Sequence, residues 1–242
     1  MERRHFLHRT TAAGAAVMAG GAMTATAVSS GPATATPRRT APLRVDIVMF
    51  DGVEELDCIA PHSVFSNGQG RAEVRYVTTG RPGLIRSAHG IGFQVEQSWS
   101  PEKADVIVVP GGGYVRPEGA GVWAEIKRGV LPRALAAASR KGLTISSVCT
   151  GAMLLSAAGL TKERPCTTHH LAKAELEAQG GLVKSARVVD DGDLVTAGGV
   201  SSGLELGLWL FKRELGSDAV LEVEKILEYE PRGTVWTARP ST

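Results

Sequence analysis

The chain has 242 residues, with 27 basic against 25 acidic side chains and a formal charge of +2. Residues 1–36 hold three of those arginines and one of the glutamates, so the rest is electrically neutral and carries no basic footprint for nucleic acid. Three cysteines (Cys58, Cys149 and Cys166) are too few and odd in number for a disulfide framework, which leaves at least one free thiol.

Arg3-Arg4 stands one residue before Phe6-Leu7, and a charge-free Ala/Gly/Thr-rich stretch follows to about Thr36. It ends in small-residue sites such as Ala25-Thr26-Ala27 and Ala33-Thr34-Ala35. Residues 1–36 thus read as a twin-arginine export signal, with a periplasmic or extracellular address. The stretch is too weakly apolar and too glycine-rich for a stable membrane span, so no lasting anchor is expected once the signal is removed. Residues 37–42 read as a linker, 43–233 as one α/β domain and 234–242 as a C-terminal tail.

Within the domain, Leu43–Phe50 predicts a strand broken by Asp51-Gly52, and Val53 to about Phe65 a short helix containing Pro61. Ala72–Thr78 alternates as a second strand, and two β-like pieces around His89-Gly90 predict a hairpin. The apolar run Asp105–Val109 has the character of a buried parallel strand and ends in Pro110-Gly111-Gly112-Gly113. Trp123 to about Arg140 predicts one alanine-rich helix, Thr144–Val148 a strand, and the following residues a helix to Ala158. A short strand at Pro165–Thr168 and a helix from Leu171 to Gln179 come next. Two strands flank the turn Asp190-Asp191-Gly192-Asp193, and helices over about Ser202–Leu215 and Asp218–Leu227 close the chain. Strands alternating with helices imply a doubly wound, mostly parallel sheet covered on both faces.

Ligands of such sheets bind beyond the carboxyl ends of the strands. Cys149 stands there, at a strand-to-helix corner where it is expected to face solvent, with the first helical amides lowering its pKa. Gly111, Gly112 and Gly113 would let backbone amides approach a ligand; the amide of Thr150 would join them as an oxyanion-type donor. No Gly-Lys-Ser/Thr follows these glycines, so they form no phosphate-binding loop. A cysteine nucleophile needs a partner. No histidine follows His170, which removes a Cys-His-Glu amidase arrangement. His169 at the end of the next strand is within range, either as a participant or as a hydrogen-bonded structural residue. Asp57 is the better acid/base candidate, against the alternative of a solvated helix-start carboxylate. Cys58 and Cys166 read as packed thiols. No cluster has metal-ligand spacing, and neither a metal nor another cofactor is expected.

The Pro110–Gly113 segment, the Val148-Cys149-Thr150-Gly151 corner and Thr167-Thr168-His169 together resemble the ThiJ/PfpI superfamily, and within it the isonitrile hydratase subgroup. Leu56-Asp57-Cys58-Ile59-Ala60-Pro61, Ser147–Gly151, Ala157–Leu160, Gly198–Gly203 and Glu228–Pro231 match further parts of that pattern. The likeness covers about residues 43–233. It implies a flavodoxin-like fold related to class I glutamine amidotransferases, and a homodimer acting on a small-molecule substrate. It also implies Cys149 as nucleophile, Asp57 as acid/base, Thr150 as an assisting residue, and Gly112 and Thr150 amides as the anion pocket. His169 and Ser201 would lie at the substrate pocket. The implied reaction is hydration of an isocyanide to an N-substituted formamide; glyoxalase- or deglycase-like chemistry and a cysteine redox sensor are the alternatives. Two departures are notable: His170 stands where tryptophan is usual, and Glu205 where aspartate is common. The fold also occurs in transcription regulators, but nothing in this sequence provides their helix-turn-helix domain.

Overall fold

The computed structural model describes Arg39 and residues 41–238; the expected export signal lies outside them. The chain order is β1 (Leu43–Val48), α1 (Glu55–Ser66), β2 (Ala72–Thr78), the hairpin β3 (Gly83–Arg86) and β4 (Gly92–Val95), β5 (Gln97–Ser98) and β6 (Val106–Val109). Next come α2 (Val122–Arg128), α3 (Val130–Ala138), β7 (Thr144–Ser147), α4 (Gly151–Ala157), β8 (Pro165–Cys166), α5 (Lys173–Ala178) and β9 (Leu182–Val183). The chain ends with β10 (Val188–Asp190), β11 (Leu194–Ala197), α6 (Ser202–Leu215), α7 (Ser217–Leu227) and β12 (Val235–Thr237).

The main sheet runs β12-β10-β11-β7-β6-β1-β2-β5. Its pairings are parallel except the antiparallel β10–β11 turn. The stretch β2-β1-β6-β7-β11 is the flavodoxin-like strand order, so the expected doubly wound fold is present. All four residues of β6 are buried, as two-sided cover of a central strand requires. Helix α1 packs on α6 where Gly203 and Gly207 leave no side chain: a Cβ on Gly207 would stand 2.9 Å from Cβ of Val64. Trp209 Nε1 and Arg213 Nη1 donate to Asp190 at 2.7 and 3.0 Å and fasten α6 over the β10–β11 turn. No helix among the described residues is long and apolar enough to cross a membrane.

Two expectations need correction. The alanine-rich helix is two helices, because Gly129 takes a left-handed backbone (φ 70°) that ends α2 and starts α3. The tail from 234 is not all tail: Val235–Thr237 pairs in parallel with Val188–Asp190 as an edge strand. Its local pattern is too short to declare a strand, and its partner lies nearly fifty residues upstream.

Candidate active site

β1 and β6 are neighbours whose chain connections leave in opposite directions, and the crevice beyond their carboxyl ends is where a ligand site forms in this topology. Asp57 reaches that crevice from the first turn of α1 and is fully buried, which removes the solvated-residue alternative. Pro61, four residues on, lacks the N–H that would otherwise bond to the Asp57 carbonyl. The Gly111 amide, at the end of β6, donates to Asp57 Oδ2 at 2.9 Å. Oδ1 is buried and has no hydrogen-bond partner among the described residues.

Cys149 occupies the corner between β7 and α4 with φ 56°, a left-handed conformation that costs a non-glycine residue energy and marks an over-determined turn. Its backbone is pinned from both sides: its N–H donates to the Gly198 carbonyl at 2.8 Å, and Thr168 Oγ1 donates to its carbonyl at 2.8 Å. The corner presses directly on the end of β6. A Cβ on Gly151 would sit 2.0 Å from the Val109 carbonyl oxygen, and one on Gly111 would sit 2.3 Å from Thr150 Oγ1. Glycine at both positions is a close-approach requirement.

The residue is 6 % exposed, so the expectation of a solvent-facing sulfur is not met. Nor is the expected acidic thiol. Burial, reinforced by the charge of Asp57, pushes it up to about 12, against the opposing pull of the Val200 and Thr150 amides. Burial likewise pushes Asp57 up to about 8, opposed by the Gly111 amide and aided by the charge of Glu54. Near neutral pH the carboxyl therefore holds its proton, and its own contribution to the sulfur's rise disappears. The two groups behave as a coupled pair in a dry site.

The glycine segment divides its work. Gly111 orients Asp57. The Gly112 N–H donates to Thr150 Oγ1 at 3.1 Å, so it is not the unengaged anion donor that was expected. Gly113 is turned toward Ala120 and Gly121, where a Cβ would stand 2.2 Å from the Ala120 carbonyl oxygen; it braces the loop rather than facing the sulfur. Thr150 is brought to the site by both its hydroxyl and its amide. His169 is not joined to the pair: its Nδ1 accepts the Leu171 N–H at 3.3 Å, and its ring lies on Gly199 and beside His170. Ser201, exposed at the start of α6, accepts from Arg187 Nη2 at 3.1 Å.

Two further side-chain groups lie close to the site. Arg187 is salt-bridged to the buried Glu205 at 2.9 Å, and Glu205 also accepts from Tyr229 Oη at 2.8 Å. The Glu205 departure and the Glu228–Pro231 pattern were the only sequence signals. At the start of α1, Glu54 and Glu55 converge with His89, with donor atoms within 4.8 Å of one another. Spacing along the chain gave no hint of this cluster, because the β3–β4 hairpin delivers His89. Glu55 is already fully engaged, by Ser87 Oγ and the His89 N–H on Oε1 and by His89 Nδ1 on Oε2 at 2.8 Å. Burial pushes this carboxyl up, but those bonds outweigh it and bring it down to about 2. The cluster is an ion-pair network.

Residues 43–213 match the DJ-1/PfpI family. The chain belongs to that family. It is 31 % identical over 203 residues to the isonitrile hydratase of Pseudomonas putida, covering 83 % of this chain and 84 % of that protein. A deglycase of Thermococcus kodakarensis is 29 % identical over 163 residues, covering 64 % of this chain and 89 % of that one. A solved ThiJ/PfpI family protein from Pseudomonas syringae superposes with a TM-score of 0.71 at 24 % identity, over 79 % of this chain and 77 % of that one. The family assignment and the flavodoxin-like fold agree with the expectation from sequence.

Proposed function

We propose that this DJ-1/PfpI protein hydrates an isocyanide to an N-substituted formamide through Cys149. The observation that carries the reading is the coupled pair: a buried Asp57 with a raised pKa, one oxygen fixed by Gly111 and the other unpartnered, beside a buried thiol. Likeness to isonitrile hydratase along most of both chains supports it.

In the singly protonated form of the pair, with the proton on sulfur and Asp57 a carboxylate, the sulfur attacks the terminal carbon of R–N≡C as its proton passes through Asp57 to that carbon, giving a thioimidate R–N=CH–S–Cys149. Asp57, again a carboxylate, takes a proton from water as the water adds to the same carbon. The C–S bond then breaks, nitrogen gains a proton, and R–NH–CHO leaves with the thiol restored. One carboxyl serves as acid and then as base, the role a pKa near the working pH suits. A dry site also slows loss of the intermediate to side reactions.

The test is formamide release from purified protein and an alkyl isocyanide, followed by mass spectrometry. Turnover that survives Cys149→Ala would end the covalent route. The deglycase likeness makes methylglyoxal the second substrate to try: its consumption without isocyanide turnover favours that alternative. The homodimer is part of the same proposal, and light scattering on the purified protein decides it.

A further inference from the structure

A cleft of about 660 Å³ runs beside the Cys149 corner, a volume within the range that accommodates small-molecule ligands. Its walls include the same segments that pin the nucleophile, Thr168 on one side and Gly198 to Ser202 on the other. Val200 lines the cleft while its amide influences the sulfur, so the cleft and the reactive atom share one turn of backbone.

The charge of this cleft is one-sided. Lys173 and Arg187 line it together with His169 and His170, and among the described residues no aspartate or glutamate does. Arg187 is neutralised from behind by the buried Glu205. Lys173, half-buried at the start of α5, has no hydrogen bond or ion pair among the described residues. A half-buried lysine with no carboxylate partner, set in a concave wall beside a second cation, gives that wall a positive potential that attracts an anion.

We infer that this cleft selects substrates bearing an anionic group, a carboxylate on the tail of the isocyanide, with Lys173 supplying the unpaired charge and Arg187 a second donor. This specificity rests on the isocyanide-hydration reading for the identity of the reacting end. The anion selection itself depends only on the cleft. The carboxylate stays with Lys173 and Arg187 while the uncharged reacting end extends across the Gly199–Val200 turn toward Cys149. His169 lines the same cleft with its ring against Gly199 and is a positioning group.

Two experiments keep the reaction and the cleft separable. The first alkylates Cys149 with iodoacetate or iodoacetamide at low salt and reads the site by peptide mass spectrometry. In each case the sulfur–carbon bond forms as iodide leaves, so the two reagents differ chiefly in charge. The iodoacetate-to-iodoacetamide rate ratio is expected to fall roughly threefold to fivefold in Lys173→Ala, the size of one partly screened ionic contact. It should be retained in Lys173→Arg, be unchanged in Lys127→Ala on the exposed face of α2, and shrink in the wild type at high salt. A ratio insensitive to both Lys173→Ala and salt overturns the inference.

The second compares an isocyanoalkanoate with its methyl ester as substrates. A higher kcat/KM for the carboxylate, lost in Lys173→Ala through KM, supports the inference; equal values for acid and ester overturn it. Turnover of neither compound, with the alkylation ratio still dependent on Lys173, would leave an anion-selective cleft serving another reaction.

Discussion

The backbone amide of Gly111 donates to Oδ2 of Asp57 at 2.9 Å, which makes the orientation of the carboxyl beside Cys149 depend on the conformation of the loop after β6. The other oxygen of Asp57 has no partner among the described residues. The carboxyl is thus fixed through one oxygen while the other is left to carry the proton, the arrangement a proton-transfer group needs: position from the scaffold, and one oxygen kept for the reaction.

Replacing Asp57 by Asn tests this directly. The amide keeps an oxygen for the Gly111 N–H but can neither deliver the proton nor activate water, so isocyanide turnover is expected to fall by about 100-fold or more. The same variant removes a buried negative charge that raises the thiol, so iodoacetamide alkylation of Cys149 should shift to lower pH. Turnover retained within a factor of two would remove Asp57 from the mechanism.

The stability of that variant has a defined pH signature. The folded pKa of Asp57 is raised from 3.8 to about 8, so the folded state holds a proton the unfolded chain has released. Its contribution to stability is fully present below about pH 4 and is lost progressively as pH rises to about 8, at up to roughly 1.4 kcal/mol per unit of separation. Asp57→Asn should therefore gain stability relative to the wild type as pH rises across that window. Parallel denaturant curves at pH 5 and pH 8 measure it; equal differences at both pH values contradict a protonated Asp57.

Gly111→Ala probes the loop. Its Cβ would stand 2.3 Å from Thr150 Oγ1 and 2.6 Å from the Thr150 nitrogen, one of them backbone that cannot swing away. Either the loop or the corner must move, at about 1–3 kcal/mol of overpacking. Activity is expected to fall further than stability accounts for, because the displaced amide is the one that holds Asp57. A thermal shift with unchanged kcat would show that the contact is only structural.

Much of this site was legible because its parts are local. The apolar β6 run ending in glycines, and the β-branched β7 run ending at Cys149, declare strand ends on their own. What escaped depends on contacts between distant segments. Whether Asp57 is solvated or buried is decided by β6 and α6 packing over the start of α1. His89 meets Glu55 only because the β3–β4 hairpin folds back across thirty-four residues. The thiol's acidity is hidden from the local sequence for the same reason: a helix start favours the thiolate, but burial, a property of the whole fold, outweighs it here. Gly129 was readable in principle, since a glycine inside an alanine-rich run is a break signal as much as a tolerated guest.

The twin-arginine reading of residues 1–36 makes its own prediction. A reporter fused after residue 42 should cross the membrane in a bacterial host only when Arg3 and Arg4 are intact. Arg3→Lys combined with Arg4→Lys should retain it in the cytoplasm. Export indifferent to the arginine pair, or no export, would assign the segment another role.

The Glu55 network is expected to hold the hairpin against the start of α1. Glu55 is depressed from 4.5 to about 2 by bonds from Ser87 and His89 that outweigh burial. Its stabilising contribution is therefore present above about pH 4.5 and is lost as pH falls toward 2. Opening of residues 83–95, followed by hydrogen exchange, should accelerate over that acid range before the central strands respond. At neutral pH, Glu55→Gln keeps the shape but loses the charged acceptor that gathers Ser87, the His89 amide and the His89 ring. Exchange in the hairpin should then rise by about tenfold, the result of roughly 1.4 kcal/mol of lost charge-assisted bonding. Because Glu54 stands next to Glu55 and its charge helps raise Asp57, the loosened variant should also show a displaced pH optimum for turnover. An unchanged exchange rate at neutral pH would mean that the backbone bonds of the hairpin, Gly52 to Arg86 and Ala88 to Val53, hold it without the carboxylate.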